Sequence, residues 1–394
     1  MSELETNPTG RLTAERHFSV MFVMRDLHIG GAQRQVCALA RGLAKAGHRV
    51  GISVFYKGGE LETELSSVPV PIFDLEKPHR FDLFRTVRRF RSILRDFQPD
   101  VLYSYLPVPN LFALVVRFGG TRPYIVWGIR ASAMQLGHYD WLTRFAYRLE
   151  ARLARLADLV IVNSHVGFRD AVARGIPAER LEIVDNAIDL ARFRPDKNLR
   201  ARARQNWSIA DATPIIGMVA RIDPMKDQST FFAGMMLAIK QRQDLRAICV
   251  AIGSPEEQHR LTAECAVLGI ADHVRILGAQ DNLSKTYNGF DLLCSTSAFG
   301  EGFPNTVAEA MACGVPCIVT AVGDAPRVVG AAGTVIPTGD PSALAEAVIR
   351  FFAGSTQQRS ALSLQSRTQI EAYSPERLVV QTCEVFSRLW APAP

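Results

Sequence analysis

The sequence predicts an α/β protein made of two doubly wound parallel-sheet domains facing a central cleft. Three observations carry this expectation. Short continuous apolar runs alternate with amphipathic helical stretches along nearly the whole chain, the pattern of strands buried on both faces of a parallel sheet. The series breaks once, at DNAIDLARFRPDKN (185–198), rich in Asp, Asn and Pro, and then starts again. A length of 394 residues is enough for two cores of ordinary size.

The start of the chain, MSELETNPTG, is polar and lacks the basic-then-apolar layout of a signal peptide, so residues 1–17 are expected to be flexible. SVMFVMRDL (19–27) reads as the first strand. IGGAQRQVCALARGLAKAGH (29–48) reads as a glycine turn and an amphipathic helix. Strand-like runs recur at VGISVF, PIFDL, DVLYSYL, YIVWGI, DLVIVNS and LEIVDNAI. After the break come PIIGMVA, LRAICVAIG, HVRILGA, DLLCSTS, VPCIVT and GTVIPTG, again separated by helical stretches. The expected division is a first domain over 1–190, a second over 191–373, and a last helix over 374–394 crossing back to the first. Parallel sheets bind ligands beyond the C-terminal ends of their strands, so chemistry is sought in the loops there.

Composition narrows the function classes. With 48% hydrophobic and 21% charged residues the chain is of the soluble globular type, and no apolar run is long enough to span a bilayer. Seven Cys, an odd number without a pairing pattern, point to reduced thiols and a cytoplasmic setting. Cys313 and Cys317 have no second Cys/His pair nearby, so they read as small apolar residues and no metal site is expected. The net charge of +6 is concentrated in the first half: residues 1–194 hold 27 Lys+Arg against 20 Asp+Glu, and the remainder 18 against 19. That favours an anionic partner, either a membrane surface or a phosphorylated acceptor. HRFDLFRTVRRFRSILRDF (79–97) places apolar residues at 81, 84, 87, 90, 94 and 97 opposite five Arg. It reads either as a helix packed on the sheet with solvated charges or as an interfacial helix meeting anionic headgroups. A nucleic-acid partner is not expected, because no aromatic-basic platform accompanies the charge.

The most informative segment is FGEGFPNTVAEAMACGVP (299–316). It reads as a loop bearing Glu301, a short helix starting near a Pro and stopping at Gly314, and a buried strand. Free amides at a helix start suit an anion, and an acid beside them suits a ligand with phosphate and hydroxyls. Glu309 has two readings, a ligand contact or the distal half of a capping box begun by Thr306. The rise of a helix and the turn put Glu301 and Glu309 on the order of 10 Å apart, too far for an acid/base couple across one bond. Arg221 and Lys226, in VARIDPMKD just past a strand, suit a pyrophosphate through a two-pronged guanidinium and a point charge; the other reading is an exposed loop balanced by Asp223 and Asp227. Gly30 and Gly31 open the first helix, where backbone can approach a ligand closely, although a structural turn explains them as well. IGGAQRQ does not fit a dinucleotide fingerprint.

Together these segments resemble the retaining glycosyltransferases of family 4, with the two-domain GT-B fold. The resemblance runs from about Ser19 to the C-terminal helices. Its most specific part is the Glu–seven residues–Glu segment EGFPNTVAEAMACGVP. VARIDPMKD is similar to the family's Arg…Lys motif, LHIGGAQRQV to its N-terminal Gly-Gly loop, and NAIDLARFRP to its linker. The resemblance implies that Glu301 contacts the hydroxyls of a donor sugar and Glu309 the nucleotide ribose, while Arg221 and Lys226 neutralise the diphosphate. It implies donor contacts from Gly302, Phe303, Asn305 and Thr306, and a first domain that closes onto the donor at Gly30 and Gly31. It implies no cofactor and no metal: a nucleotide-diphosphate-sugar is a co-substrate, and a glycan or lipid-linked hydroxyl is the acceptor.

One departure stands out. Where many relatives carry a His after the fifth strand, this chain reads VWGIRASAMQLGHYD, with Arg130 near that place and His138 eight residues on. Arg130 reads as a contact to donor phosphate or to an acceptor carboxylate or phosphate, or as a surface Arg; His138 reads as a loop residue. The expected function is sugar transfer in bacterial surface polysaccharide or glycolipid synthesis, in the cytoplasm or peripherally on the inner membrane face. Rival readings are a nucleotide-sugar 2-epimerase or phosphorylase on the same fold, or a catalytically silent glycan-binding subunit.

Overall fold

The computed structural model describes residues 16–77, 83–118, 122–130, 137 and 140–390. Its strands are β1 Ser19–Met24, β2 Arg49–Val54, β3 Ile72–Asp74, β4 Val101–Tyr105, β5 Tyr124–Ile129, β6 Leu159–Val162, β7 Leu181–Ile183, β8 Ile215–Arg221, β9 Arg246–Ile252, β10 Val274–Leu277, β11 Leu292–Ser295, β12 Cys317–Thr320 and β13 Thr334–Ile336. The helices are α1 Gly31–Lys45, α2 Leu83–Phe97, α3 Pro107–Ala113, α4 Trp141–Leu153, α5 His165–Ala173, α6 Lys197–Asn206, α7 Gln228–Gln241, α8 Pro255–Val267, α9 Leu283–Asn288, α10 Asn305–Ala312, α11 Ala325–Val329, α12 Pro341–Ala353, α13 Thr356–Ile370 and α14 Pro375–Ser387. Every run read as a strand from its apolar continuity forms one.

The strands make a seven-stranded sheet, β3-β2-β1-β4-β5-β6-β7, and a six-stranded sheet, β10-β9-β8-β11-β12-β13. Both are doubly wound: the order reverses between β1 and β4 in the first and between β8 and β11 in the second. Loops leaving the C-terminal ends at such a reversal diverge to opposite faces and leave room for a ligand between them. The chain divides into two compact units, one of residues 1–128, 153–160 and 379–394, the other of 129–152 and 161–378.

In the first unit the core is aromatic. Phe18 meets Phe386 of α14 edge-on at 5.9 Å and Tyr103 meets it at 5.7 Å, while Tyr124 packs edge-on against Trp390 at 4.7 Å. Arg16 lies over the Trp390 ring at 4.0 Å; residues 1–15 of the segment expected to be flexible lie outside the described residues. In α2 the buried stripe is Thr86, Phe90, Ile93, Leu94 and Phe97, whereas Phe84 is 83% exposed. The sequence reading that put Phe84 on the apolar face is therefore corrected. Its first steps were three residues apart, a spacing that drifts around a helix of 3.6 residues per turn and carries Phe84 to the far side. Phe81, the other end of that stripe, lies outside the described residues.

The second sheet is covered on both faces. Trp207, Tyr287, Phe290, Phe303, Val307 and Met311 fill one side, and Phe231, Phe232, Met235, Leu344 and Val348 the other. The starts of β8 and β11 are riveted together. The Asp291 carboxylate accepts the Ile215 amide at 2.8 Å and Arg204 Nη2 at 2.7 Å. The guanidinium of Arg204, 2% exposed, also donates to the carbonyls of Gly289, Ala210, Asp211 and Thr213. Because this rivet joins the two strands flanking the reversal, it fixes the frame from which the loops at the other end depart. Replacing Arg204 with Met removes one donor from Asp291, which keeps Arg200 Nη2 and the Ile215 amide, and takes the guanidinium from four carbonyls; it is expected to lower unfolding free energy by about 1–3 kcal/mol, measured by urea titration.

Candidate active site

Most of the residues singled out in the sequence lie in the second unit, on loops that leave β8, β11 and β12. Arg221 ends β8 and is largely exposed; its Nη2 is 3.9 Å from Asp223 Oδ2. The chain then makes a short helical turn, Pro224–Lys226, whose start is capped by the Asp223 carboxylate accepting from the Met225 amide. Asp227 adopts a left-handed conformation (φ 47°) and caps α7, accepting from the Thr230 amide and hydroxyl at 3.1 and 2.6 Å. Asp227 is thus committed to α7. The reading that it balances Lys226 is corrected, because a helix start offers the carboxylate directed donors.

The counter-charge of Lys226 is Glu301: its ammonium donates to Glu301 Oε1. The same oxygen accepts from the Ser297 hydroxyl at 2.7 Å. Glu301 is 9% exposed. Burial pushes its carboxyl up, but Lys226 and Ser297, with Arg221 further off, outweigh burial and hold it below the usual carboxylate range. Two loops are thereby stitched together, and the Thr296 hydroxyl adds bonds to the carbonyls of Lys226 and Asp227 at 3.2 and 2.9 Å.

The backbone around Glu301 has room only for glycine. A Cβ on Gly302 would lie 2.5 Å from Asn163 Oδ1. Gly323 (φ 59°) backs onto Glu301, where a Cβ would lie 2.5 Å from the Glu301 carbonyl oxygen. The helix α10 starts at Asn305, one residue after the Pro expected at its first position, and no side chain caps it. Thr306 is already inside the helix and Glu309 lies a full turn in, so the capping-box reading of Glu309 is overturned. Its carboxylate, 6% exposed, instead accepts the Tyr287 hydroxyl at 2.8 Å. Phe303 is a core residue, its ring 5.1 Å from that of Tyr373, which leaves its backbone for any ligand contact. Gly314 (φ 74°) ends the helix region as its spacing implied.

Cys313 and Cys317 are buried free thiols. Burial raises the Cys313 thiol to about 12 and holds the Cys317 thiol well above its ordinary value. Among the described residues no group of three or more His, Cys, Asp or Glu side chains is placed to hold a metal ion.

Gly30 and Gly31 lie in the first unit, where Gly30 precedes α1 in extended conformation. Arg130, at the end of β5, donates to Asn186 Oδ1 at 3.4 Å, and Asn186 Nδ2 donates to Asn305 Oδ1 at 2.9 Å. Sequence reasoning named Arg130 and Asn305 but missed the residue joining them. Asn186 stood in NAIDLARFRP, read only as a linker; an Asn just past a strand end was the available signal. His138 lies outside the described residues. Also missed was a charge cluster around α11, in which Arg327 pairs with Asp185 and Asp324.

A fold of two parallel sheets, each reversing its strand order, with cations and a buried carboxylate beyond the second sheet's strand ends, defines the GT-B class. Family profiles agree: "Glycosyltransferase Family 4" matches residues 29–192 and "Glycosyl transferases group 1" residues 213–353. The chain belongs to glycosyltransferase family 4. A D-inositol 3-phosphate glycosyltransferase of Salinispora tropica is 29% identical over 254 residues, 60% of this chain and 52% of that protein. A GDP-mannose-dependent alpha-(1-6)-phosphatidylinositol monomannoside mannosyltransferase of Mycobacterium tuberculosis is 33% identical over 191 residues, 45% of this chain and 48% of that protein. The matched stretch thus spans about half the length of each relative. Among solved structures, Anabaena Alr3699/HepE in complex with UDP and glucose superposes with a TM-score of 0.80 at 22% identity, over 94% of this chain and all of that one.

The lowered carboxyl of Glu301 has a consequence for acid stability. A carboxyl held below its unfolded value of 4.5 stabilises the fold fully above that value, and the contribution disappears as pH falls through the folded value. The free-energy difference between wild type and Glu301→Gln is expected to be constant above about pH 5.5 and to shift against the wild type as pH drops below 4.5, read from urea unfolding across pH.

Proposed function

We propose that this chain is a retaining glycosyltransferase that moves a sugar from a nucleotide-diphosphate-sugar to a hydroxyl of a glycan or lipid-linked acceptor. The observation that carries this reading is the Lys226–Glu301–Ser297 cluster beside exposed Arg221, at the strand-order reversal of the second sheet. The Lys226 ammonium has three donors and spends one on Glu301; the others, with the Arg221 fork, suit the two phosphates. Fixed cations placed where negative charge develops stabilise the leaving diphosphate without rearrangement.

Glu301 holds hydroxyls of the donor sugar, and Glu309, oriented by Tyr287, takes the ribose. The amides of Gly302, Phe303 and Asn305 and the Thr306 hydroxyl bind donor sugar or phosphate, and Gly30 and Gly31 belong to the first domain's approach to it. Arg130, through Asn186, faces donor phosphate or an anionic acceptor group. UDP-glucose and GDP-mannose are the first donors to test, since UDP, glucose and GDP-mannose occur with the proteins compared above. A phosphatidylinositol-based acceptor in one relative supports a lipid-linked acceptor here, in glycolipid or surface polysaccharide synthesis at the inner face of the membrane.

Arg221→Ala, Lys226→Ala and Glu309→Ala are each expected to lower kcat/KM for the donor by roughly 10²–10³-fold while the fold survives. Donor turnover and nucleotide-sugar thermal shifts measure this; wild-type turnover in all three would end the assignment. No helix among the described residues is long and apolar enough to cross a membrane. Contact with an anionic bilayer instead rests on α2, whose Arg88 and Arg95 are exposed beside Phe84. Binding to phosphatidylglycerol vesicles in sedimentation, lost in 0.5 M salt or in an Arg88→Glu/Arg95→Glu double variant, is the expected result; equal binding to neutral vesicles would refute an electrostatic contact.

A further inference from the structure

We propose that Asp324 is a positioning residue that sets the Glu301–Gly302 backbone, and through it the carboxylate read above as the donor-sugar contact. Asp324 follows β12 and is 3% exposed. Its carboxylate accepts the first two amides of α5, from His165 at 2.9 Å and Val166 at 3.0 Å. Arg327 Nε donates to the same carboxylate at 2.9 Å. With Ser164 taking the Gly167 amide, the side chain is anchored to a helix end that supplies fixed donors and a favourable dipole.

The other end of the residue does different work. The Asp324 amide donates to the Gly302 carbonyl at 3.1 Å, and Gly323 lies flush against Glu301. Gly302 is meanwhile pressed against Asn163, which leads into the same helix. The backbone from Glu301 through the Gly302 carbonyl is therefore held from two sides, both anchored at the start of α5. Arg327 extends the anchor. It reaches Asp185 through both terminal nitrogens and the Tyr373 hydroxyl at 3.3 Å, and the carboxylates of Asp185 and Asp324 hold it charged against the cost of burial. A carboxylate that only capped α5 would not need its own amide on the loop of Glu301. Asp324 does both, which couples a helix end to the site.

Two measurements test this with the full chain. Hydrogen exchange on Asp324→Asn, which loses charge and one acceptor oxygen at nearly constant shape, is expected to speed exchange in peptides covering 165–167 and also 300–304. Faster exchange at 165–167 alone would make Asp324 a plain helix cap and overturn the proposal. The second is a double-mutant cycle on turnover of UDP-glucose or GDP-mannose, with UDP or GDP binding as control. Asp324→Asn is expected to lower kcat at least tenfold with nucleoside-diphosphate affinity unchanged, Asp324→Glu to recover part of it, and the loss to vanish in a Glu301→Gln background. Multiplicative losses overturn the positioning role. Wild-type turnover in Glu301→Gln alone instead sinks the donor-sugar reading on which this proposal rests, while the exchange result still decides whether Asp324 sets the loop.

Discussion

The arrangement of the second unit depends on a buried carboxylate that must stay ionised. Removing Glu301 from water costs free energy unless charge and hydrogen bonds replace the lost hydration. Lys226 and Ser297 supply that replacement, and each comes from a different loop. The requirement therefore joins the segment after β8 to the segment after β11. The backbone that carries the carboxylate is closely packed as well: a Cβ on Gly302 would meet Asn163, and one on Gly323 the Glu301 backbone. Stability and site geometry are one problem here, and a variant that relaxes either disturbs the other.

Much of this was legible in the sequence, for identifiable reasons. Strands buried on both faces write themselves as unbroken apolar runs, so all thirteen were readable, as was the break between the two series. Arg221, Lys226 and Glu301 stood out because loops at strand ends concentrate charged residues that a core excludes, and Glu309 because it is the one charged residue of the short helix α10. What the sequence could not supply was pairing. Asp223 and Asp227 lie beside Arg221 and Lys226 in the chain and looked like their counter-charges; Asp223 does lie 3.9 Å from Arg221, but Asp227 caps α7, and the carboxylate that Lys226 meets is 75 positions away. The capping-box reading of Glu309 failed similarly: the helix begins at Asn305, a shift of a residue or two that spacing does not fix.

Asp324, Arg327, Asp185 and Asn186 were missed because each is ordinary alone. An Asp two residues before a Pro reads as a turn, an Arg one turn on as a surface charge, and Asp-Asn as linker. Their meaning arises from a fold that brings residues 163–166, 185–186, 301–305 and 324–327 together. Phe84 is the converse case, where a stripe suggested by spacing dissolved once the helix had a true period and start.

The helix starts of the second unit divide into two electrostatic kinds. α7, α8, α9 and α12 each begin on a side-chain cap, from Asp227, Ser254, Asn282 and Asp340, and α5 is closed by Ser164 and Asp324. α10 begins without one. An oxyanion approaching these loops meets helix ends whose donors are already taken, three of them topped by a carboxylate that repels it, and the start of α10, whose partial positive charge no side-chain cap has quenched. Selectivity is thus written partly in what the protein withholds: introducing Asp or Ser at Pro304 would close that end and turn the loop from an attractor of negative charge into another shielded surface.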